Sequence, residues 1–96
     1  MKILAIERAA PGADFSAFTP ELARAEAWQA WTLYQEGSVR ELYFRADKTE
    51  AVLVLECADV EEAAATLATL PMVQAGLITF ELIPLKAYPG FARLFG

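Results

Sequence analysis

The chain has 96 residues, of which 56% are hydrophobic and 22% are charged, which suffices for one core and is too short for two. We therefore expect one domain over residues 1–96, and the composition excludes a disordered or low-complexity chain. Thirteen acidic residues exceed eight basic ones, and the net charge of −5 would repel a phosphate backbone, so we expect no nucleic-acid partner.

The first half of the chain predicts a strand, a helix and a second strand. Residues 2–8 form a short apolar run that indicates a strand, and a Pro-Gly pair marks the loop after it. A helix is expected over residues 20–35, because Thr19 can cap its first turn and the glycine at position 37 suits its end. Residues 39–46 alternate and carry aromatic side chains, as a strand does.

The second half of the chain predicts a similar unit. A short turn leads to an apolar, β-branched strand over residues 50–57, so the second and third strands form a hairpin. Asp59 and Glu62 fit a capping box that opens a helix ending near Pro71, and residues 77–85 predict the fourth strand. The resulting order is that of an α+β, ferredoxin-like βαββαβ fold, with a four-stranded antiparallel sheet and both helices on one face.

The two faces of this sheet are expected to differ. Apolar sets such as Ile78, Phe80 and Leu82 should lie under the helices, whereas the opposite face mixes apolar and polar side chains. In the second strand, strict alternation places four side chains on the mixed face: Val39, Glu41, Tyr43 and Arg45. A face of this kind usually packs on another sheet, so we expect two copies to form a dimeric α/β barrel, with a higher oligomer left open.

The C-terminal segment supports the same idea. It carries four large apolar side chains within eight residues, and these need a docking surface on their own subunit or on the partner. The four are Tyr88, Phe91, Leu94 and Phe95.

The first helix has an apolar arc with alanines at its centre, which we expect to let the helix approach the sheet closely. Trp28 falls outside this arc, where it covers an interface, lines a pocket or lies on the surface. Interface or surface packing is favoured, because tryptophan is enriched at interfaces.

The residue inventory excludes several kinds of chemistry. There is no histidine, which removes Ser–His and Cys–His nucleophile pairs, His-based metal sites and the commonest general base. Cys57 is the one cysteine, so no internal disulfide forms, and we expect a buried strand thiol. No Cys pair or tight acidic cluster has metal-ligand spacing, so we expect no metal.

No apolar run reaches the length of a membrane span, since the longest, residues 51–55, is strand-sized. The N-terminus also lacks the charged-then-apolar pattern and cleavage site of a signal peptide. We therefore expect a soluble, cytoplasmic protein with no membrane partner.

Three stretches resemble the muconolactone isomerase-type family. Residues 36–43 combine a Glu-Gly helix end with a strand that carries an arginine and an aromatic residue, and residues 59–63 and 67–72 continue the likeness. The resemblance spans roughly residues 35 to 90 and resumes in the last strand and Tyr88-Pro89. It implies a dimeric α/β barrel that associates through its sheets, and action on a small organic acid or lactone without a cofactor. Where the family carries histidine after the matched arginine, this sequence has Glu41.

An isomerase of this kind needs one group that takes a proton beside a carbonyl and another that stabilises the enolate. Glu41 or Glu81 can act as the base when burial raises its pKa, and Tyr43 can donate to the oxyanion. Arg40 or Arg45 can hold a substrate carboxylate through a bidentate pair. The predicted site therefore has Glu41, Tyr43 and Arg45 as catalytic residues and Arg40, Trp28 and Glu81 as substrate-binding residues.

Two further carboxylates, Glu56 and Glu7, are candidates on the same mixed face. For each of these charged residues there is a structural alternative, because Arg and Glu on neighbouring strands often form ion pairs that only stabilise the sheet.

Three functions fit these observations. The first is a cofactor-free isomerase or lyase, which predicts a closed apolar cavity beside Glu41, Tyr43 or Arg45. The alternative is a non-catalytic small-ligand-binding or dimerisation domain. A second alternative is a cofactor-free oxygenase on the same scaffold, in which Trp28 and Trp31 would line the pocket.

Overall fold

The structure is a computed structural model that describes residues 1–96. Two short 3₁₀ helices, Phe15–Ala17 and Gly90–Leu94, accompany seven main elements. These are β1 (Lys2–Ala9), α1 (Pro20–Glu36), β2 (Val39–Phe44), β3 (Ala51–Glu56), α2 (Val60–Leu67), α3 (Pro71–Gln74) and β4 (Ile78–Pro84).

The helix ends follow from local sequence signals. The Thr19 side chain accepts a hydrogen bond from the backbone N–H of Leu22 at 3.1 Å, and Gly37 ends α1 in the left-handed conformation at φ 87°. The Asp59 side chain accepts from the N–H of Glu62 at 2.8 Å and so caps α2. These bonds agree with the predicted helix starts and with the glycine stop.

The second helix is split, which the sequence analysis did not predict. It was expected to end near Pro71, but α2 ends at Leu67 and the separate four-residue helix α3 begins at Pro71. The backbone of Leu70 is extended, with φ −71° and ψ 129°, because a residue before proline is disfavoured in the helical region. The break turns α3 toward α1.

All four strands join one antiparallel sheet in the order β2-β3-β1-β4. The core lies between one face of this sheet and the helices, since Leu33 of α1 and Leu67 of α2 belong to the same buried cluster as Ile3, Ala5 and Leu55. This arrangement confirms the predicted ferredoxin-like fold.

Strand β2 departs from strict alternation. Its pairing with β3 shifts between Val39 and Glu41, so one extra residue is accommodated as in a β-bulge. Val39 pairs with Leu55 and is 1% exposed, which places it on the helix side together with Leu42. The prediction that Val39 shares the mixed face with Tyr43 is therefore wrong, and the bulge is the reason.

The side of the sheet that faces away from the helices, here called the open face, is apolar along its centre. Its pairing registers place five partly buried apolar side chains side by side: Leu4, Ile6, Val52, Val54 and Ile83. Charged side chains border them, and no element of the chain covers them. The mixed face expected from the sequence therefore exists.

The C-terminal segment projects from the body of the protein. The N–H of Leu85 donates to the carbonyl of Lys2 at 2.9 Å, and beyond this bond Tyr88, Phe91 and Phe95 are 62%, 69% and 87% exposed. The radius of gyration of 15.5 Å also exceeds the roughly 12.5 Å of a compact chain of this length. These side chains therefore have no docking surface on their own chain.

Candidate functional site

A cavity of about 400 Å³ lies between α1 and the helix side of the sheet. Fourteen of its 16 lining residues are hydrophobic, and the two others are Glu7 and Glu26. Three alanines of α1, at positions 23, 27 and 30, face it at helical spacing. Their small side chains leave space above the sheet, and Ala30 also packs against the buried core.

Glu7 reaches the cavity from strand β1. It pairs with Phe80 of β4 and follows Ile3 and Ala5 on the helix side, so its place on the mixed face is corrected. Its Oε1 accepts a hydrogen bond from the N–H of Ala51 at 3.3 Å. Burial raises the pKa of Glu7 above its ordinary value, and this N–H opposes the rise.

Glu26 reaches the same cavity from helix α1. Its Oε1 accepts a hydrogen bond from the N–H of Met72 at 2.9 Å. That N–H belongs to the first turn of α3, where backbone donors have no partner within the helix. Burial raises the pKa of Glu26, and the bond to Met72 lowers it in part.

The charge of Glu26 acts on the carboxyl group of Glu7. The charges of Glu50 and Glu26 both raise the pKa of Glu7, and no lysine or arginine lines the cavity to offset them. Each group uses one oxygen to accept a backbone hydrogen bond and has no partner in the chain for the other. A raised pKa makes each carboxyl group easier to protonate than an exposed one, so it can give or take a proton in a reaction.

A more open groove adjoins the cavity between α1 and the edge strand β2. It brings together three predicted site residues, Arg40, Glu41 and Tyr43, beside Trp31 and Tyr34. The rings of Trp31 and Tyr34 have centroids 6.0 Å apart. The groove and the cavity share four lining residues: Ala27, Ala30, Leu42 and Tyr43.

Within this groove, Glu41 and Tyr43 form a pair. The Tyr43 hydroxyl donates to Glu41 Oε1 at 2.7 Å, and this bond raises the pKa of Tyr43. Both side chains are exposed, and Arg40 uses its Nε to donate to the carbonyl of Gly37.

The other predicted site residues lie elsewhere. Arg45 follows β2 and forms ion pairs with Asp47 at 2.6 Å and Glu50 at 3.5 Å in the hairpin turn. Glu81 lies on β4, at the far edge of the sheet from β2, where Arg8 contacts it at 3.3 Å. Trp28 is 71% exposed and lines neither the groove nor the cavity. The structure thus does not bring the six residues into one site, and their roles stay predictions.

The sequence contained a signal for the cavity that the pattern analysis did not use. Glu26 lies three residues after Ala23 and four before Ala30, so a carboxyl group sits within an arc of small apolar residues. Glu7 likewise continues the alternation of Ile3 and Ala5. A carboxyl group on an otherwise apolar face is a candidate for a perturbed pKa.

Comparison with solved structures supports the fold. The chain is similar to the 5-chloro-2-hydroxyhydroquinone dehydrochlorinase of Burkholderia phenoliruptrix AC1100, solved in complex with 2,5-dihydroxybenzoquinone. The TM-score is 0.66 at 16% sequence identity, and the match covers 94% of this chain and 98% of that one. This likeness confirms the predicted ferredoxin-like α+β fold of the chain.

No protein-family model matches the chain, and no curated protein matches it in sequence. None of its helices combines the length and the apolar character needed to cross a membrane.

Proposed function

We propose that this protein is an enzyme that moves protons on a small cyclic molecule held in the cavity, in an isomerase or lyase reaction that needs no cofactor. One observation carries the proposal: the two charged side chains of a largely apolar cavity are both carboxyls, and burial raises the pKa of each. Catalytic carboxyl groups are tuned in this way, because an apolar site keeps them protonated closer to neutral pH.

The hydrogen bonds suggest how the two groups divide the work. The 2.9 Å bond from Met72 N–H favours the ionised form of Glu26, which serves as the base. The longer bond of 3.3 Å to Glu7, and the two negative charges near it, favour the protonated form of Glu7, which serves as the acid. Glu26 takes a proton from the carbon beside a carbonyl while Glu7 protonates the carbonyl oxygen. The resulting enol can react in two ways. Return of a proton at another carbon moves the double bond and gives the isomer, whereas loss of a leaving group completes an elimination.

The size of the cavity agrees with a small ring as substrate. Its volume of about 400 Å³ falls in the lower part of the range of small-molecule sites. The similar dehydrochlorinase, by its name, removes the elements of hydrogen chloride from a hydroxylated ring, and it was solved with a six-membered ring compound. A lyase or isomerase acting on a lactone, cyclic ketone or phenol is therefore the reaction class we favour.

The test is turnover of a panel of β,γ-unsaturated lactones and cyclic enones, followed by ultraviolet absorbance as the double bond moves into conjugation. We expect Glu7→Gln and Glu26→Gln to lower kcat by at least about 100-fold while circular dichroism stays native. Glu61→Gln is the matched control, since Glu61 is exposed on α2 away from the cavity. Turnover that survives in both cavity variants contradicts the proposal.

We also propose that two copies associate through the open face, as the resemblance implies. Five apolar side chains at the centre of that face have no partner in the chain, and their burial would stabilise a protein of this size.

A further inference from the structure

The charged side chains that line the cavity are both acidic. Three basic side chains of the strands and the hairpin turn are engaged by carboxylates: Arg8 contacts Glu81, and Arg45 and Lys48 contact Glu50. Among the residues that line the cavity, Glu7 and Glu26 are the two acids, Tyr43 adds a hydroxyl group, and there is no arginine or lysine. A ligand that enters therefore meets negative charge and no compensating cation.

We propose that the cavity binds uncharged ring molecules that carry a hydroxyl group and excludes carboxylates, and that Glu7 and Glu26 determine this selectivity. The inference rests on the proposed function in that it concerns the same cavity, and it narrows the substrate class. The resemblance implied either a small organic acid or a lactone as the substrate. The charges of the cavity favour the uncharged lactone and disfavour the acid.

A carboxylate in this cavity would lose its water and approach like charges in a space lined almost entirely by apolar groups. Both effects oppose binding, because burying an unpaired ion is costly and repulsion is strong in low-dielectric surroundings. An uncharged hydroxyl group on the ligand favours binding. It can donate to the carboxyl oxygens of Glu7 and Glu26 that have no partner in the chain, and its ring can contact Phe80.

The arginines that were predicted to hold a substrate carboxylate are not placed to do so. Arg45 is engaged by Asp47 and Glu50 in the hairpin turn, and it lines neither space. Arg40 lies in the groove, outside the cavity, where its Nε donates to the carbonyl of Gly37. An acid could reach Arg40 only by lying in the open groove.

The test uses two probes of nearly the same shape, 4-hydroxybenzamide and 4-hydroxybenzoate, which differ in charge at neutral pH. Binding is measured by titration calorimetry for the wild type and for Glu7→Gln, Glu26→Gln and Arg40→Gln, with Glu61→Gln as the control. We expect the wild type to bind the amide at least about tenfold more tightly than the acid. Both glutamine variants of the cavity should reduce that ratio, and the Arg40 and Glu61 variants should leave it unchanged.

The inference is overturned if the acid binds as tightly as the amide, if neither probe binds, or if acid binding depends on Arg40. Its failure differs from failure of the proposed function. Suppose that the wild type binds the amide selectively, but that turnover survives in Glu7→Gln and Glu26→Gln. The selectivity of the cavity would then be supported, and the catalytic role of the two carboxyls would be rejected. If turnover is lost in those variants but the wild type binds amide and acid equally, the catalytic role would be supported and the selectivity would be rejected.

Discussion

Glu26 of helix α1 accepts a hydrogen bond from the backbone N–H of Met72 at 2.9 Å, and this bond joins α1 to the start of α3 beside the cavity. This hydrogen bond is possible because the second helix is broken. The break places the first turn of α3, whose backbone N–H groups have no partner within the helix, near α1. One side chain therefore belongs both to the candidate active site and to the packing of the helices around it.

The bond between Glu26 and Met72 can be tested through stability. Glu26→Ala leaves a partly buried N–H without its acceptor and should lower the free energy of unfolding by about 1–3 kcal/mol. Glu26→Gln keeps an acceptor oxygen and should cost less. Urea denaturation of the three proteins checks this order, and an alanine variant as stable as the wild type would contradict it.

Stability should also depend on pH in a way that reflects the two cavity carboxyls. Burial raises the pKa of Glu7 and Glu26 above the ordinary value of 4.5, so the folded protein holds their protons to higher pH than the unfolded chain does. Their contribution to stability is therefore present below the ordinary pKa and is lost as pH rises through the raised one. Glu56 acts in the opposite direction, since the N-terminal amine lowers its pKa and its contribution is lost toward acid pH.

The glutamine variants isolate this effect, because they carry no charge at any pH. Relative to the wild type, Glu7→Gln and Glu26→Gln should gain stability as the pH rises above the ordinary pKa of 4.5. Urea denaturation across this range measures the difference, with Glu61→Gln as the reference. A stability difference that stays flat with pH would show that the two pKa values are not raised.

The cavity itself can be filled from α1. Ala30→Leu places a larger apolar side chain into the space, so it should block binding of 4-hydroxybenzamide and leave the melting temperature unchanged or higher. Ala25→Leu is the matched control on the exposed side of the same helix. Ligand binding that persists in Ala30→Leu would mean that the ligand lies elsewhere, with the groove as the next place to test.

The open face predicts the state of association. We expect sedimentation to give the mass of two chains or more at micromolar concentration, and Val54→Lys to shift it to one chain, since a buried unpaired lysine opposes sheet packing. Ala65→Lys, on the exposed side of α2, should leave the mass unchanged. A wild-type mass of one chain would reject the dimer.

Local signals in the sequence were enough to predict most of the fold. Thr19, Gly37 and Asp59 act within one turn of their own helix, so their roles can be seen from neighbouring residues alone. The order of strands and helices then leaves few ways to form a sheet. The split at Leu70 was missed because the proline after it was interpreted as the end of the helix and not as a new start.

The cavity could not be predicted in the same way, because it depends on contacts between distant parts of the chain. Glu7 and Glu26 are 19 positions apart, and only the packing of α1 over β1 brings them to one space. The prediction concentrated on β2, where Glu41 and Tyr43 do lie together, in the adjoining groove. Turnover by Glu41→Gln tests the predicted role of this pair in a reaction.

The irregular pairing of β2 with β3 decides which chemistry a ligand meets. If the alternation that starts at Val39 continued unbroken, Glu41 and Tyr43 would point toward α1, and Leu42 would point away from it. The cavity would then be lined by a third carboxylate, that of Glu41, in place of the aliphatic side chain of Leu42. The one extra residue accommodated between Val39 and Glu41 thus keeps both Val39 and Leu42 in the wall that a ligand contacts.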